Sequence, residues 1–281
     1  MERNEKLYDF EPGDSVLNQA PFTDDEARYD LVHGIASDPS SLRLKAGDHR
    51  LLFVRTPGRN GWLWMDSSLS QEEREGRMLA LMEETDRRGI ELGGVHGKPE
   101  TVVFFAERYA QSHGLDHRSN MQLESYVCRE VHPPSGVEGK ARVVLPDDAD
   151  VVAEYLSGFM RDAFGTEQSS ESLAEAAADL ASSGNLYFWE ANGEPVAMAN
   201  MAPASPRYRR INEVYTPREF RKKGYASALV SEICLRLNAE GITPVLYADC
   251  DNPDSNGVYR KIGFKENGRL LDTRFVERTA E

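Results

Sequence analysis

Cysteine is scarce in this chain. Cys128, Cys234 and Cys250 are the only three in 281 residues; their spacing matches no metal-binding pattern, and three thiols cannot all pair. That excludes a disulfide framework and sets the expectation of a reduced, cytoplasmic setting. Long apolar runs are missing as well: no stretch approaches the roughly 20 residues of a membrane-spanning helix. The opening Met1-Glu2-Arg3-Asn4-Glu5-Lys6 lacks the apolar region of a secretory signal, so none is expected. Positive charge is in deficit, with 33 Lys and Arg against 47 Asp and Glu for a net charge of −14. Nonspecific nucleic-acid binding needs a positive surface and is disfavoured. The glycine-rich loops Gly-x-Gly-x-x-Gly and Gly-Lys-Ser/Thr are both absent, which sets aside dinucleotide-binding and P-loop proteins. The six histidines show no ligand spacing, so no metal is expected, and His96, His113 and His117 read as surface or structural groups.

Against this acidic background one basic stretch stands out. A β-rich segment from Arg210 ends at Thr216-Pro217; Arg221-Lys222-Lys223-Gly224-Tyr225-Ala226 follows, then a helical pattern from Ser227 to Glu240. Free amides at a helix N-terminus, the positive end of the helix dipole and three cations together make an anion site. The excess charge suits a diphosphate better than a single carboxylate. Further on comes Asn252-Pro253-Asp254-Ser255-Asn256-Gly257-Val258-Tyr259-Arg260-Lys261-Ile262-Gly263-Phe264.

The loop resembles the coenzyme A motif Arg/Gln-x-x-Gly-x-Gly/Ala of the GNAT superfamily, with Ala226 in the last place. The second stretch is similar to the Asn-x-x-(Ser/Ala)…Tyr-x-x-x-Gly-Phe ending of the same domain. Both occur in the family's order, joined by one helix and one strand, and the resemblance covers roughly the last half of the chain. It implies a mixed, mostly antiparallel twisted sheet flanked by helices, an α/β (α+β) fold, with acetyl-CoA as cosubstrate.

The periodicities agree with that order. Asp147 is the expected cap of a helix to Phe164, with Val152, Tyr155, Phe159 and Ala163 on one face. A second helix runs from about Ser170 to Gly184, and Leu186–Ala191 and Glu194–Met201 flank an Asn192-Gly193 hairpin turn. A strand over 210–216, the helix 227–240, a strand Val245–Asp249, a helix from Ser255 and C-terminal strands follow. The first half shows a fainter copy: strands at 51–54 and 62–65, a helix from Ser70 with a Glu73 capping box, a strand at 92–96, a helix from Pro99 and a strand at 121–128. Where the second copy has Arg221, Lys222 and Lys223, the first has Glu72, Glu73 and Glu75, which repel a diphosphate. The expectation is two GNAT-like domains, 1–135 degenerate and 136–281 binding acetyl-CoA, divided in the Pro- and Gly-rich segment 131–140. The first twenty residues carry little apolar pattern and are expected to be poorly ordered.

The resemblance further implies that backbone groups of Val214, Tyr215 and Thr216 meet the pantetheine amides where the strand splays from its neighbour. Amides from Lys222 through Gly224, Tyr225, Ala226 and Ser227 then bind the pyrophosphate, with Arg221 adding charge. Tyr259 takes the place of the tyrosine that protonates the thiolate in many relatives, or is a core aromatic. Asn252 and Asn256 are cofactor contacts or helix caps. The glutamate that several relatives use as general base is replaced by Arg210. Glu213, Asp249 or a water-mediated carboxylate is left for that role, and strict alternation puts Glu213 on the face opposite Arg210. Cys250 reads as a small buried residue rather than a nucleophile. The expected activity is acetyl transfer to a primary amine, small molecule or peptide, by direct attack, from a monomer or homodimer. The alternative is a non-catalytic acyl-CoA sensor whose first half docks a protein.

Overall fold

A computed structural model describes residues 6–202 and 205–278. The chain opens with strand β1 (Leu7–Asp9), helices α1 (Phe22–Asp25) and α2 (Leu31–Ser37), and strands β2 (Leu42–Ala46), β3 (Leu51–Arg55) and β4 (Gly61–Met65). Helix α3 (Gln71–Arg87), strand β5 (Gly94–Gly97), helix α4 (Pro99–His113) and strand β6 (Leu115–Val127) complete this series. The same order then recurs as β7 (Lys140–Val143), α5 (Ala149–Phe164), α6 (Ala174–Ser182), β8 (Leu186–Ala191), β9 (Glu194–Ala202), β10 (Tyr208–Tyr215), α7 (Tyr225–Ala239), β11 (Thr243–Asp249), α8 (Pro253–Ile262) and β12 (Lys265–Glu277). The repeat is complete, element for element.

Two compact units divide the chain. The first holds the described part of residues 1–125, 248–251 and 267–281; the second holds Tyr126–Tyr247 and Asn252–Glu266. Residues 135 and 136 both lie inside the second unit, and the chain's last strand belongs to the first unit from Asn267 onward.

In the first unit the strands run β1-β2-β3-β4-β5-β12-β6. β12 pairs antiparallel with β5, Leu271 against Gly97 and Arg274 against Gly94, while β4 and β5 are parallel. Glycine at Gly94 is a packing requirement, because a Cβ there would lie 2.1 Å from the Thr273 carbonyl. The core gathers Leu44, Phe53, Leu63, Leu81, Phe105 and Leu271. Contrary to expectation the described residues 6–19 are structured, residues 1–5 of that segment lying outside the described residues: Asp14 caps a short helical turn by accepting the Val16 amide, and Phe10, Val16 and Leu17 are buried. Phe10 and the adjacent pair Val16 and Leu17 anchor a segment whose average composition is polar.

In the second unit the order is β11-β10-β9-β8-β7, antiparallel except for β10 and β11. The β8–β9 hairpin turns at Asn192 and Gly193, with φ of 55° and 80°, the two left-handed residues a type I′ turn requires. All three aromatics Tyr187, Phe188 and Trp189 are buried. α5 packs on this sheet through Val152, Tyr155 and Leu156, whereas Ala163, expected on the same face, is exposed. Its N-terminus also differs from expectation. Asp148, not Asp147, turns back to accept the Leu145 amide at 2.8 Å, because a short helical turn at Pro146–Asp148 precedes the helix.

Candidate active site

Strand β10 departs from regularity where the basic loop begins. Its parallel register with β11 runs from Tyr208 opposite Thr243 to Arg210 opposite Val245, and among the described residues no further pair follows. Its antiparallel register with β9 shifts between Asn212 and Tyr215, and Glu213 has φ +51°. This is a β-bulge, which re-aims side chains and leaves backbone groups without a ladder partner. The splay expected at Val214–Thr216 is present. The bulge also corrects the expectation for Glu213: alternation fails there, and Glu213 feels the Arg210 charge instead of facing away from it. Burial, the larger effect, raises the Glu213 carboxyl above its ordinary range, while Arg210 and the Asn200 side chain pull it down.

Beyond the strand, a short turn at Arg218–Phe220 leads to Lys222 and Gly224, both left-handed with φ of 63° and 85°. Gly224 is the residue before α7, and its carbonyl accepts the Ala228 amide at 2.9 Å. The amides from Lys222 to Ser227 have no acceptor among the described residues. They crowd at the positive end of a fifteen-residue helix, with the exposed side chains of Lys222 and Lys223 beside them. Such a cradle fits a diphosphate. The corresponding first-copy helix is closed to one: Ser70 Oγ accepts the Glu73 amide at 3.3 Å and Glu73 accepts the Ser70 amide at 2.8 Å.

Arg221 is placed differently from expectation. Its guanidinium pairs with Asp162, donates to the Thr216 carbonyl at 2.9 Å and lies 5.9 Å from the Tyr215 ring centre. Arg218 meets the same carboxylate at 2.8 Å. The Arg218 and Arg221 guanidiniums hold the Asp162 carboxyl down at about 2. Arg221 therefore braces the loop from α5, and Asp162 is a site-building residue the sequence did not single out. Gly158 is another. A Cβ there would stand 2.2 Å from the Tyr215 hydroxyl, so glycine lets α5 pass over β10. Thr216 Oγ1 is buried without a partner among the described residues.

Tyr259 lies on α8, half-buried, its ring 5.8 Å from Phe264 and 6.3 Å from Tyr126. Burial pushes its phenol up to about 12. Both candidate asparagines are engaged internally. Asn252 caps α8 by accepting the Ser255 amide at 3.1 Å. Asn256 is buried, accepts the Tyr126 hydroxyl at 2.9 Å and donates to the Asn252 carbonyl at 2.7 Å. Asn252 thus takes its other reading, a helix cap, whereas Asn256 lies inside α8 and ties it to Tyr126. Asp249 and Cys250 belong to the first unit; Asp249 accepts the Asp251 amide at 2.9 Å, and burial raises the Cys250 thiol. Between β9 and β10, Pro203 and Ala204 lie outside the described residues.

A model of the acetyltransferase (GNAT) family matches residues 150–264. No curated protein matches the chain. Among solved structures, the chain is similar to a GCN5-related N-acetyltransferase from Sphaerobacter thermophilus, at 16% identity over 99% of this chain and 98% of that one, TM-score 0.63. It is similar to a Drosophila protein at 13% identity over 98% and 100%, TM-score 0.66. A GCN5-related N-acetyltransferase from Kribbella flavida is 14% identical over 90% and 96%, TM-score 0.57. At these identities the structural likeness establishes the fold.

Proposed function

Because the chain carries an acetyltransferase (GNAT) family domain over residues 150–264, we propose that its second half transfers an acetyl group from acetyl-CoA to a primary amine by direct attack. The observation that carries this is the run of unpartnered amides at Lys222–Ser227 beside a bulged, splayed β10. Those amides and the two lysines would hold the diphosphate. Val214 and Thr216 would meet the pantetheine arm with backbone groups the sheet leaves open. Acetyl-CoA would supply an acetyl group activated as a thioester. No step needs a protein nucleophile.

Glu213 is the base this geometry favours. It sits at the bulge, and its raised carboxyl is better matched to an amine proton than an ordinary carboxylate. As the amine nitrogen bonds to the acetyl carbon and the carbon–sulfur bond breaks, Glu213 takes the nitrogen's proton. Tyr259 would serve the departing sulfur. A phenol at about 12 stays protonated at neutral pH, so its first role is a hydrogen bond to the developing thiolate, with the proton following as sulfur leaves.

Calorimetry with acetyl-CoA, followed by thiol release across a panel of primary amines, tests the proposal. We expect one micromolar-range site per chain and release that depends on amine. Binding with no amine-dependent release would make the protein a sensor; no binding would overturn the site itself.

A further inference from the structure

Two buried oxygens on the second unit's sheet have no partner among the described residues: Oδ1 of Asn200 and Oε2 of Glu213. Asn200, on β9, stands opposite Asn212 of β10 in the antiparallel register. It is 6% exposed, and its Nδ2 donates to Asn212 Oδ1 at 3.1 Å. An amide's two ends point apart, so the carbonyl end is turned away from that bond. Cross-strand partners share a face of the sheet. Asn200 also stands opposite Leu186, which packs with Val152, Tyr155 and Phe188, so this is the α5 face. The bulge brings Glu213 within reach of the Asn200 side chain and of the Arg210 guanidinium.

Sealing an acceptor oxygen from water without a donor is costly. An ionised carboxylate and an amide carbonyl have no proton to offer each other. What both lack is one group with several N–H bonds, and the carboxylate favours a positive charge on it. We propose that Asn200 Oδ1 and Glu213 Oε2 together seat the acceptor nitrogen, and that the acceptor enters as a primary ammonium ion. Each oxygen takes one N–H; the proton pointing at Glu213 is given up before attack and passes on to solvent, which frees the carboxylate to take the second proton as the nitrogen bonds to the acetyl carbon. Arg210, the cation facing Glu213, favours the ionised form that can receive it. Asn200 contributes as a specificity residue and positions Glu213. The inference rests on reading β10 as the wall of the acceptor site.

The test uses the full chain without acetyl-CoA and three probes: butylammonium, butyltrimethylammonium and butanol. The first carries charge and N–H bonds, the second charge alone, the third neither. The readout is the carboxyl carbon resonance of Glu213 in isotope-labelled protein, titrated with each probe at neutral pH. Butylammonium should shift that resonance and bind about tenfold or more tightly than either competitor, the scale of one or two charge-assisted bonds. Asn200→Leu should weaken butylammonium about tenfold and leave the two competitors unchanged. Glu213→Gln, read by calorimetry, should weaken butylammonium about tenfold, weaken the trimethyl probe by less because only its charge is felt, and leave butanol unchanged; it also covers the case of a misfolded leucine variant. Equal binding of the trimethyl probe, or unchanged affinity in either folded variant, overturns the seat. Intact acetyl-CoA binding alongside such a result would leave the acetyltransferase reading standing, so the two failures are distinguishable.

Discussion

At the scale of single residues, the site depends on groups whose protonation the fold has moved. Tyr259 is the sharpest case, because Tyr259→Phe removes only a hydroxyl that bonds to no described residue. Packing against Phe264 and Tyr126 should survive. If the hydroxyl serves the departing sulfur, turnover should fall about a hundredfold, while acetyl-CoA affinity changes about tenfold or less. Steady-state rates beside calorimetric affinity decide it, and unchanged turnover with chemistry rate-limiting makes Tyr259 a core aromatic. Asp162 yields a stability prediction. Its folded carboxyl, held at about 2 from an ordinary 3.8, contributes stability that is fully present above pH 4 and lost as pH falls through 2. Solvent around its arginine partners screens the pair, so Asp162→Asn should cost about 1 kcal/mol at pH 7 rather than the larger figure the shift alone implies. The gap to the native chain should close as urea titrations move from pH 5 to pH 2. A gap independent of pH would mean that the ion pairs do not hold the loop. The sequence showed Tyr259 through its spacing from Gly263-Phe264. It did not show Asp162, whose importance arises only once α5 brings it to Arg218 and Arg221.

At the scale of elements, the legible features were those set by local chemistry. The Asn192-Gly193 turn, the Ser70–Glu73 capping box and the basic loop before α7 each need a few adjacent residues and no tertiary context. The β10 bulge was not legible, because a one-residue slip follows from what neighbouring strands impose. Misjudging it reversed the expected side of Glu213. The loop itself carries a direct test. Gly224 holds φ +85°, and a Cβ there would meet Val137 Cγ2 at 3.0 Å. A branched side chain in the left-handed region costs about 1–2 kcal/mol of strain, and the loop escapes it by turning its amides away. Gly224→Val should weaken acetyl-CoA binding by about a hundredfold in a protein with native circular dichroism, and Gly224→Ala by less, since alanine offers less bulk. Unchanged affinity in folded Gly224→Val would mean that the diphosphate sits elsewhere.

For the whole molecule, the duplicated order was only half visible, since β1, α1, α2, β2 and β7 are short or irregular and leave weak periodicity. Least visible was the destination of the last strand. β12 carries an ordinary strand pattern, and nothing in its composition says that residues from Asn267 onward belong with the first copy. The structure shows what fixes it there. Leu270, Leu271, Asp272 and Thr273 are buried. The Asp272 carboxylate accepts Asn60 at 2.8 Å and Asn120 at 2.6 Å, with His96 Nδ1 at 3.4 Å. Arg28 donates twice to the Asn267 carbonyl, at 2.9 and 2.6 Å. Two buried leucines contribute about 1.5–3 kcal/mol each, before the ladder bonds to β5 and the pinned carboxylate are counted. Domains hold only about 5–15 kcal/mol in total. A chain ending at Glu266 should therefore lose the centre of its first sheet. Hydrogen exchange at β5 residues 94–97 and in β6 residues 115–125 should rise to the rate of unprotected amides, and the emission of Trp62 and Trp64, both buried in that unit, should shift to the red in a Trp189→Phe background. If Gly94–Gly97 keep their protection in the truncated protein, the first unit closes without β12. Its boundary then lies within the first half, as the sequence alone suggested.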